Sequence, residues 1–414
     1  MNASLSIEGA DALLRPPEDG LPYLRHDRAA SMTLEPGALA CADDAIAALS
    51  DDPGAAVRFD ASGATVIPGL VDCHTHLPFA GWRAREYEQK VTGVPYEEIA
   101  RSGGGIAASA RALAESSDEA VLAQAAGIGR EMLAWGTTTF EGKSGYGLSR
   151  AGELRALRLA AALRERVAQG TVATALLAHA VPPGFTADGW MDEVEAMLPT
   201  VVRETVAESL DIFVESIAFS NEHLARMGAL AREHGLALRA HVEQLATHRS
   251  VPVALDAGAR SVDHLSRLHP DDVAPLARSE CAAVLLPSAE LMNAEDAAPG
   301  RALVDAGAIC VLATDANPGT SPVVALPIVI GLGVRRYGWS AREAFLAATL
   351  NAAHVLGRAA SIGSIEIGKR ADLVVLDGPL EHVPYRFGHH PVLAVVLGGE
   401  LAWVREDARD RVRA

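Results

Sequence analysis

Apolar runs of five to eight residues alternate with longer amphipathic segments along most of the chain after Pro68. Runs of that length are typical of buried strands, and apolar residues recurring every three to four positions are typical of helices. The predicted strands are Gly69–His76, Thr137–Lys143, Val172–His179, Asp211–Ser216, Leu236–Glu243, Ser261–Leu265, Ala282–Pro287 and Ile309–Asp315. The clearest helices between them are Asp118–Trp135, Arg150–Gln169 and Asn221–His234.

Eight strand–helix units predict a fold of the α/β class, a (β/α)8 TIM-like barrel. A doubly wound open sheet would use fewer strands and would carry a glycine-rich phosphate loop after the first strand. The segment in that place is Leu77-Pro78-Phe79-Ala80-Gly81, which has no such loop. The pattern therefore favours the barrel.

The two ends of the chain have strand and turn patterns without long helices. Pro16-Pro17 and Pro36-Gly37 are turn signals near the start, and Ile362–Asp377 predicts a strand, a turn and a second strand. Pro391–Leu397 and Leu401–Val404, separated by glycines, predict a hairpin. We therefore predict a small β-sandwich domain built from residues 1–66 and 359–414, with the barrel in residues 67–358.

Composition narrows the function classes. The net charge of −17 disfavours nucleic-acid binding, which needs a positive face, but is compatible with a small anionic substrate held by one arginine. The longest uncharged apolar run, Val323–Val334, is too short to cross a membrane, and no secretory signal is visible. The four cysteines form no CxxC pair, so we expect neither a disulfide framework nor a zinc ribbon, and a cytoplasmic location.

Polar residues gather at the carboxyl ends of the predicted strands. They are His74, His76, the segment Glu141 to Tyr146, His179, Glu215, His241, Glu243, Gln244, His264, Asp315 and Asn317. In a barrel these ends converge on one mouth, where catalytic residues lie. The pattern therefore predicts an active site at that mouth.

Four of these residues form a candidate metal site. His74 and His76 fall on the same face of a strand, although a pair at this spacing arises by chance in about one chain in two. With His241 and Asp315 they offer three imidazoles and a carboxylate, a set that suits zinc or iron with an open position for water. Taken singly, His241 could be a buried structural histidine and Asp315 a loop cap. The presence of all four residues at one predicted mouth favours a site for one metal ion per chain.

Two further residues have candidate roles at the mouth. His264 could polarise the attacking water or stabilise an oxyanion, or be a structural histidine on a strand. Arg83 could pair with a substrate carboxylate, or lie solvated on the surface. Ser102-Gly103-Gly104-Gly105 has no following GK[ST], so we expect a loop near the mouth and not a nucleotide cradle.

Several motifs resemble the amidohydrolase superfamily and, within it, the imidazolonepropionase family. The shared pieces are Pro68–His76, His76–Arg83, Tyr96–Ala100, Lys143–Leu148, Ala178–Ala180, Thr314–Pro322 and Gly368–Leu373. The resemblance runs from about residue 66 to residue 399, and its Lys-Ser-Gly-Tyr-Gly and Asn-Pro-Gly-Thr-Ser-Pro pieces are specific to the narrower family. It implies hydrolysis of the cyclic amide of 4-imidazolone-5-propanoate to N-formimino-L-glutamate.

The resemblance also implies roles for individual residues. His74, His76, His241 and Asp315 would hold a single divalent or trivalent ion, zinc or iron. Asp315, His264 and Gln244 would be catalytic, with Asp315 carrying a proton from water to the leaving nitrogen and Gln244 standing where some members have Glu. The substrate contacts would be Arg83, Tyr146, His179, Gln244, Asn317, Gly319 and Thr320.

Two segments depart from the family pattern. An aromatic-rich loop is replaced by Pro287–Ala294, and Leu265-Ser266-Arg267 stands where an acidic and an aromatic residue are expected. Neither change touches the metal set, but both bear on which ring is bound. A related hydrolase of another small carboxylate-bearing ring, a ring deaminase and a non-enzymatic binding protein are the alternatives. The sequence leaves the oligomeric state open, with a homodimer as the assembly we consider.

Overall fold

The first part of the chain forms strands of a mixed sheet. The structure is a computed structural model that describes residues 3–17, 19–94, 98–99 and 102–413. Five strands come first: β1 (Leu5–Arg15), β2 (Thr33–Ala42), β3 (Ala45–Ala48), β4 (Val57–Asp60) and β5 (Thr65–Pro68). β1 pairs antiparallel with β2 and parallel with both β4 and β5. A single long strand thus connects the N-terminal elements.

Eight parallel strands follow and form the larger sheet, each hydrogen-bonded to its neighbours in chain order. They are β6 (Leu70–Asp72), β7 (Thr137–Lys143), β8 (Gly170–Ala178), β9 (Ala207–Phe213), β10 (Ala237–Val242), β11 (Ser261–His264), β12 (Ala282–Leu285) and β13 (Ile309–Leu312). Beyond β6 and β13, Thr75 forms a parallel bridge with Ala316, and the amide of His76 donates to the carbonyl of Ala316 at 2.9 Å. These contacts nearly close the sheet into a barrel, so the strand ends share one mouth.

The last strands complete the mixed sheet. They are β14 (Leu373–Leu376), β15 (Val392–Leu397), β16 (Glu400–Val404) and β17 (Val412–Arg413). β14 lies antiparallel between β5 and β15, and β17 pairs with β4. Nine strands from the two ends of the chain are therefore joined, around a separate core that includes Leu5, Phe59 and Val396.

Most of the described helices lie between barrel strands in the chain. The described helices are α1 (Ala84–Val91), α2 (Ile106–Glu115), α3 (Asp118–Ala134), α4 (Arg150–Leu163), α5 (Ala187–Glu204), α6 (Asn221–Glu233), α7 (Ser250–Asp256), α8 (Pro270–Arg278), α9 (Pro287–Met292), α10 (Gly300–Asp305), α11 (Leu326–Tyr337), α12 (Ala341–Ala347), α13 (Leu350–Val355) and α14 (His382–Tyr385). Two short 3-10 helices span His26–Ser31 and Glu406–Arg411. No helix among the described residues is long and apolar enough to span a bilayer.

The predicted fold class is confirmed, and all eight barrel strands are present. β7 has the predicted bounds, whereas β6 ends at Asp72 and not at His76. After Asp72 the backbone no longer pairs as a regular strand. It makes isolated hydrogen bonds to the ends of other strands, from the amide of Lys143 to the carbonyl of Thr75 and from the amide of His76 to the carbonyl of Ala316. His74 and His76 therefore follow the first barrel strand and do not lie within it.

One predicted strand is wrong. Of the segment Ile362–Asp377, only β14 is a strand. Gly363 has a φ of +90°, and a Cβ at this position would lie 2.8 Å from the Cβ of Ala353 in α13. The apolar residues Ile362 and Ile365 are both buried without strand pairing, the first in the larger core and the second in the core of the mixed sheet, which explains the misassignment. Most of the motif Tyr96–Ala100 lies outside the described residues.

Candidate active site

A cavity of about 340 Å³ opens at the carboxyl ends of the barrel strands. Ten of the twelve site residues named from the sequence line it: His76, Arg83, Tyr146, His179, His241, Gln244, His264, Asp315, Asn317 and Thr320. His74 is fully buried beneath it, and Gly319 packs against Arg83. The structure therefore brings the predicted residues to one place.

The histidines and Asp315 form two overlapping clusters with ligand atoms within 4.8 Å of one another. One is His74, His76 and Asp315, and the other is His74, His241 and His264. Oδ1 of Asp315 lies 3.2 Å from Nε2 of His76 and 3.5 Å from Nε2 of His74. Nε2 of both His74 and His241 is buried without a hydrogen-bond partner among the described residues. Buried nitrogens that converge in this way suit a metal ion.

Two buried carboxylates orient these histidines, and the sequence reasoning missed both roles. Nδ1 of His74 lies 2.6 Å from Oδ2 of Asp263, and Nδ1 of His241 lies 3.0 Å from Oδ1 of Asp211. A carboxylate only accepts hydrogen bonds, so each ring donates from Nδ1 and keeps the lone pair on Nε2. Metal-binding histidines commonly have this second partner.

Two buried cations hold the carboxylates in turn. Arg239 donates from Nη2 to Asp263 at 2.7 Å and from Nη1 to Glu141. Lys143 donates to Asp211 at 2.6 Å and lies 3.0 Å from Glu141. Three carboxylates and two cations leave one negative charge, and Asp315 adds a second. A divalent cation would neutralise these two negative charges. The net charge of the network is therefore suited to a metal ion, as are the donor atoms.

A sequence signal for this network exists. Glu141 and Lys143, Arg239 and His241, and Ser261 and Asp263 each stand two residues apart on predicted strands. Alternate positions point to one face of a strand, here the barrel interior. Charged and polar side chains at such spacing in several strands of one predicted barrel indicate that they pair with one another.

Burial and backbone strain accompany the site. His264 and Asp315 have φ angles of 81° and 54°, which are unusual for residues other than glycine and are typical of functional positions. Burial lowers the pKa of His264 to about 3, so its ring is neutral at pH 7. Burial raises the pKa of Asp315, an effect that His264 and His241 oppose.

Arg83 is held beside the Asn317 loop. Its side chain is only 11% exposed, and Nη1 lies 3.3 Å from Oε2 of Glu86 in α1. A Cβ at Gly319 would overlap the guanidinium, so only glycine leaves room for it. Oδ1 of Asn317 accepts from the amides of Gly319 and Thr320 at 2.9 and 2.7 Å, which fixes this loop.

His179 and Tyr146 form the opposite wall. The ring of His179 stacks on that of His76 with centroids 5.3 Å apart, and its Nδ1 lies 3.1 Å from the carbonyl of Gly145. Buried Glu153 accepts from the amides of Gly145 and Leu148 at 2.9 and 3.0 Å, and so fixes the loop that carries Tyr146. Glu153 is a further residue that the sequence reasoning missed.

The segment that departs from the family pattern is fixed by polar contacts. Buried Glu290 accepts from Tyr337 at 2.8 Å and from Arg336 at 2.9 Å, both in α11. Glu295 follows this segment directly and accepts from Nε2 of Gln244 at 3.2 Å. The loop after the segment therefore adds an acidic residue, Glu295, to the cavity lining.

The chain matches a known family over most of its length. The model of the amidohydrolase family matches residues 65–402. The chain belongs to the amidohydrolase family. Similar members include an imidazolonepropionase of Rubrobacter xylanophilus, 40% identical over 96% of this chain and 98% of its own. Another, from Stenotrophomonas maltophilia, is 39% identical over 88% and 91%, and one from Rhizorhabdus wittichii is 43% identical over 82% and 86%.

Solved structures of amidohydrolases share the fold. An adenosine deaminase from Xanthomonas campestris with bound zinc superposes with a TM-score of 0.71 at 18% identity, covering 99% of this chain and 98% of that one. E. coli guanine deaminase gives 0.67 at 15% identity, over 97% and 100%. Amidohydrolases are metal-dependent hydrolases of C–N bonds, and the histidine cluster is a possible metal site of this kind.

Proposed function

We propose that this amidohydrolase opens the ring of 4-imidazolone-5-propanoate to give N-formimino-L-glutamate. The observation that carries the proposal is a half-buried arginine, Arg83, in the same cavity as the histidine cluster. Its Nη1 faces Glu86 at 3.3 Å, whereas its Nε is buried without a hydrogen-bond partner among the described residues, so the guanidinium can still bind a propionate. The names of the relatives, which cover most of the chain, support the same substrate.

We further propose that His74, His76, His241 and Asp315 hold one zinc or iron ion per chain. The buried, unpartnered Nε2 atoms of His74 and His241 and the excess negative charge beneath them support this set. When bound, such an ion activates water for attack and polarises the carbonyl oxygen. His264 lies near enough to His74 and His241 to be an alternative metal ligand. Substitution of His264 distinguishes a ligand from a catalytic residue, because loss of a ligand lowers the metal content, whereas loss of a catalytic residue lowers activity alone.

Asp315 is the proton carrier in this proposal. Its carboxylate takes a proton from the water that attacks the ring carbonyl, and it delivers the same proton to the ring nitrogen as the C–N bond breaks. His264, neutral at pH 7, offers a ring N–H to the oxygen that gains negative charge.

The remaining residues orient the substrate. Arg83 and Tyr146 bind the propionate, and His179, stacked on His76, packs against the ring. Gln244 forms a hydrogen bond to the ring, and the loop of Asn317, Gly319 and Thr320 contacts substrate or product. Fixing the ring against the reacting groups lowers the entropic part of the barrier.

A turnover assay on 4-imidazolone-5-propanoate tests the proposal. Purified, metal-loaded protein should consume the ring and produce N-formimino-L-glutamate without ammonia. Release of ammonia from an amino-substituted ring, with no turnover of the imidazolone, would indicate a deaminase. Loss of activity with a chelator and its return with zinc or iron would identify the metal, whereas purified protein with well under one ion per chain would favour a binding protein.

Three predictions from the sequence go beyond these residues. The division of the chain into residues 1–66, 67–358 and 359–414 stays a prediction, as does a cytoplasmic location. A homodimer is the assembly that we would test by sedimentation.

A further inference from the structure

The loop that precedes α10 brings a second acidic residue to the substrate cavity beside Gln244. Oε1 of Glu295 accepts from Nε2 of Gln244 at 3.2 Å. Oε2 of Glu295 is buried and has no hydrogen-bond partner among the described residues. Both residues line the cavity, and Gln244 stands three positions after His241. The pair therefore lies next to the place where the ring must bind.

The backbone of Glu295 is held on both sides. Its amide donates to the carbonyl of Glu290 at 2.8 Å, and its carbonyl accepts from Nη2 of Arg336 at 3.1 Å. Lys90 of α1 donates to Oδ1 of Asn293 at 3.0 Å, which ties this loop to the opposite side of the mouth. Because the loop is anchored, the carboxyl group has a defined position relative to Gln244.

The contact determines which end of the Gln244 side chain meets the ring. A glutamine amide presents a donor and an acceptor of nearly the same shape, so its orientation depends on its partners. An ionised carboxylate only accepts, so the NH2 group of Gln244 must face Glu295 and the carbonyl oxygen must face away. We propose that Glu295 is a positioning residue that fixes the Gln244 carbonyl oxygen as the acceptor for an N–H of the substrate ring.

This inference deepens the proposed function and rests on it. The ring of an imidazolone carries an N–H that needs an acceptor in the site, and a buried donor without one weakens binding. Burial raises the pKa of Glu295 to about 7, and the bond from Gln244 opposes that rise. At pH 8 the carboxyl group is therefore mostly ionised and acts as an acceptor only.

An exchange of the two side chains tests the pairing. In Gln244→Glu two carboxyl groups meet, and they repel each other once the pH is high enough to remove the proton that they share; KM for the imidazolone should then rise at least about tenfold above its wild-type value at the same pH, with a smaller change in kcat. In Glu295→Gln the orientation of Gln244 is no longer fixed, and KM should rise about threefold to tenfold. In the double variant the amide introduced at position 295 donates to the carboxylate introduced at position 244, whose other oxygen again accepts from the ring. The KM of the double variant should return to within about threefold of wild type.

Asp296→Asn is the matched control, because it removes a carboxylate from the same loop at an exposed side chain that pairs with Arg267. Its kinetics should be those of wild type. A double variant no better than the weaker single variant would overturn the role of Glu295 while leaving the proposed function intact. A wild-type protein that does not turn over the imidazolone would overturn both.

Discussion

Asp263 holds Nδ1 of His74 at 2.6 Å in the barrel interior, although 189 positions separate the two residues. The same carboxylate oxygen accepts from Arg239 at 2.7 Å, so it cannot turn away from the imidazole without breaking that buried ion pair. The ring is thereby fixed in the tautomer with a free Nε2. The role proposed for His74 as a metal ligand depends on this bond.

We expect Asp263→Asn to weaken metal affinity by about 10- to 100-fold, because an amide can present its NH2 group to Nδ1 and so favour the wrong tautomer. Competition with a chromogenic chelator would measure the change. Asp271→Asn, at a side chain that is 75% exposed in α8, is the control and should bind metal as wild type does. Equal metal affinities for wild type and Asp263→Asn would show either that His74 is not a metal ligand or that Asp263 does not orient it.

Asp315→Asn should lower kcat by about a thousandfold or more, because an amide cannot carry the proton from water to the leaving nitrogen. The amide oxygen remains available to a metal, so metal content should fall less than activity does. Circular dichroism and metal analysis would separate a chemical effect from a folding effect. Substantial residual turnover in a folded, metal-loaded variant would contradict the role of Asp315 as proton carrier.

Arg83→Ala should raise KM for the propionate-bearing substrate by about 10- to 100-fold, the value of a charge-assisted hydrogen bond. Gly319→Ala should act in the same direction without removing the charge, because the added methyl group occupies the space of the guanidinium. Steady-state kinetics on both variants would measure the effect. If the KM of Arg83→Ala equals that of wild type, Arg83 does not bind the substrate carboxylate.

The free energy of unfolding should decrease as the pH decreases, because of His26, which lies far from the active site. Its Nδ1 accepts from the amide of Cys310 at 3.3 Å, and burial lowers its pKa from 6.5 to about 4. Between these pH values the unfolded state binds the proton and the folded state does not, so stability is complete above about pH 6.5 and is lost as the pH falls toward 4. The contribution is about 3 kcal/mol.

His26→Gln should flatten this part of the pH dependence in denaturant unfolding. His234→Gln, at the end of α6, is the control and should leave the curve of the wild type unchanged. Because both variants keep the metal site, the difference between them isolates His26 from the acid release of a metal. A His26→Gln curve as steep as that of wild type would show that another group titrates.

The sequence predicted the barrel and most of the cavity lining because both depend on local pattern. His241 and Asp315 each end an apolar strand, and the ends of parallel strands must meet. The partners behind them depend on distances that no local pattern contains. Asp211 was part of a predicted strand, but its contact with Lys143, 68 positions away, follows only from strand order and register.

The loop of Glu295 was less predictable for a different reason. Its departure from the family pattern was visible, but the side chain that enters the cavity depends on anchors in α11 and on Lys90 in α1. Ile362 shows the opposite error, because the apolar pattern around it predicted a strand, whereas Ile362 and Ile365 are buried in two different cores without strand pairing. The sequence correctly predicted that these residues are buried, but it wrongly predicted that they are buried within a strand.

The pairing of β5 with β14 has a consequence for synthesis on the ribosome. Val66 and Ile67 cannot form their strand pairs until Val375 and Val374 have left the exit tunnel, roughly 300 residues later. β6, the strand that His74 and His76 follow, comes directly after β5, so its packing is complete only when translation is nearly over. A nascent chain should therefore acquire metal late, and stalled translation products that lack β14 should be targets for chaperones and proteases.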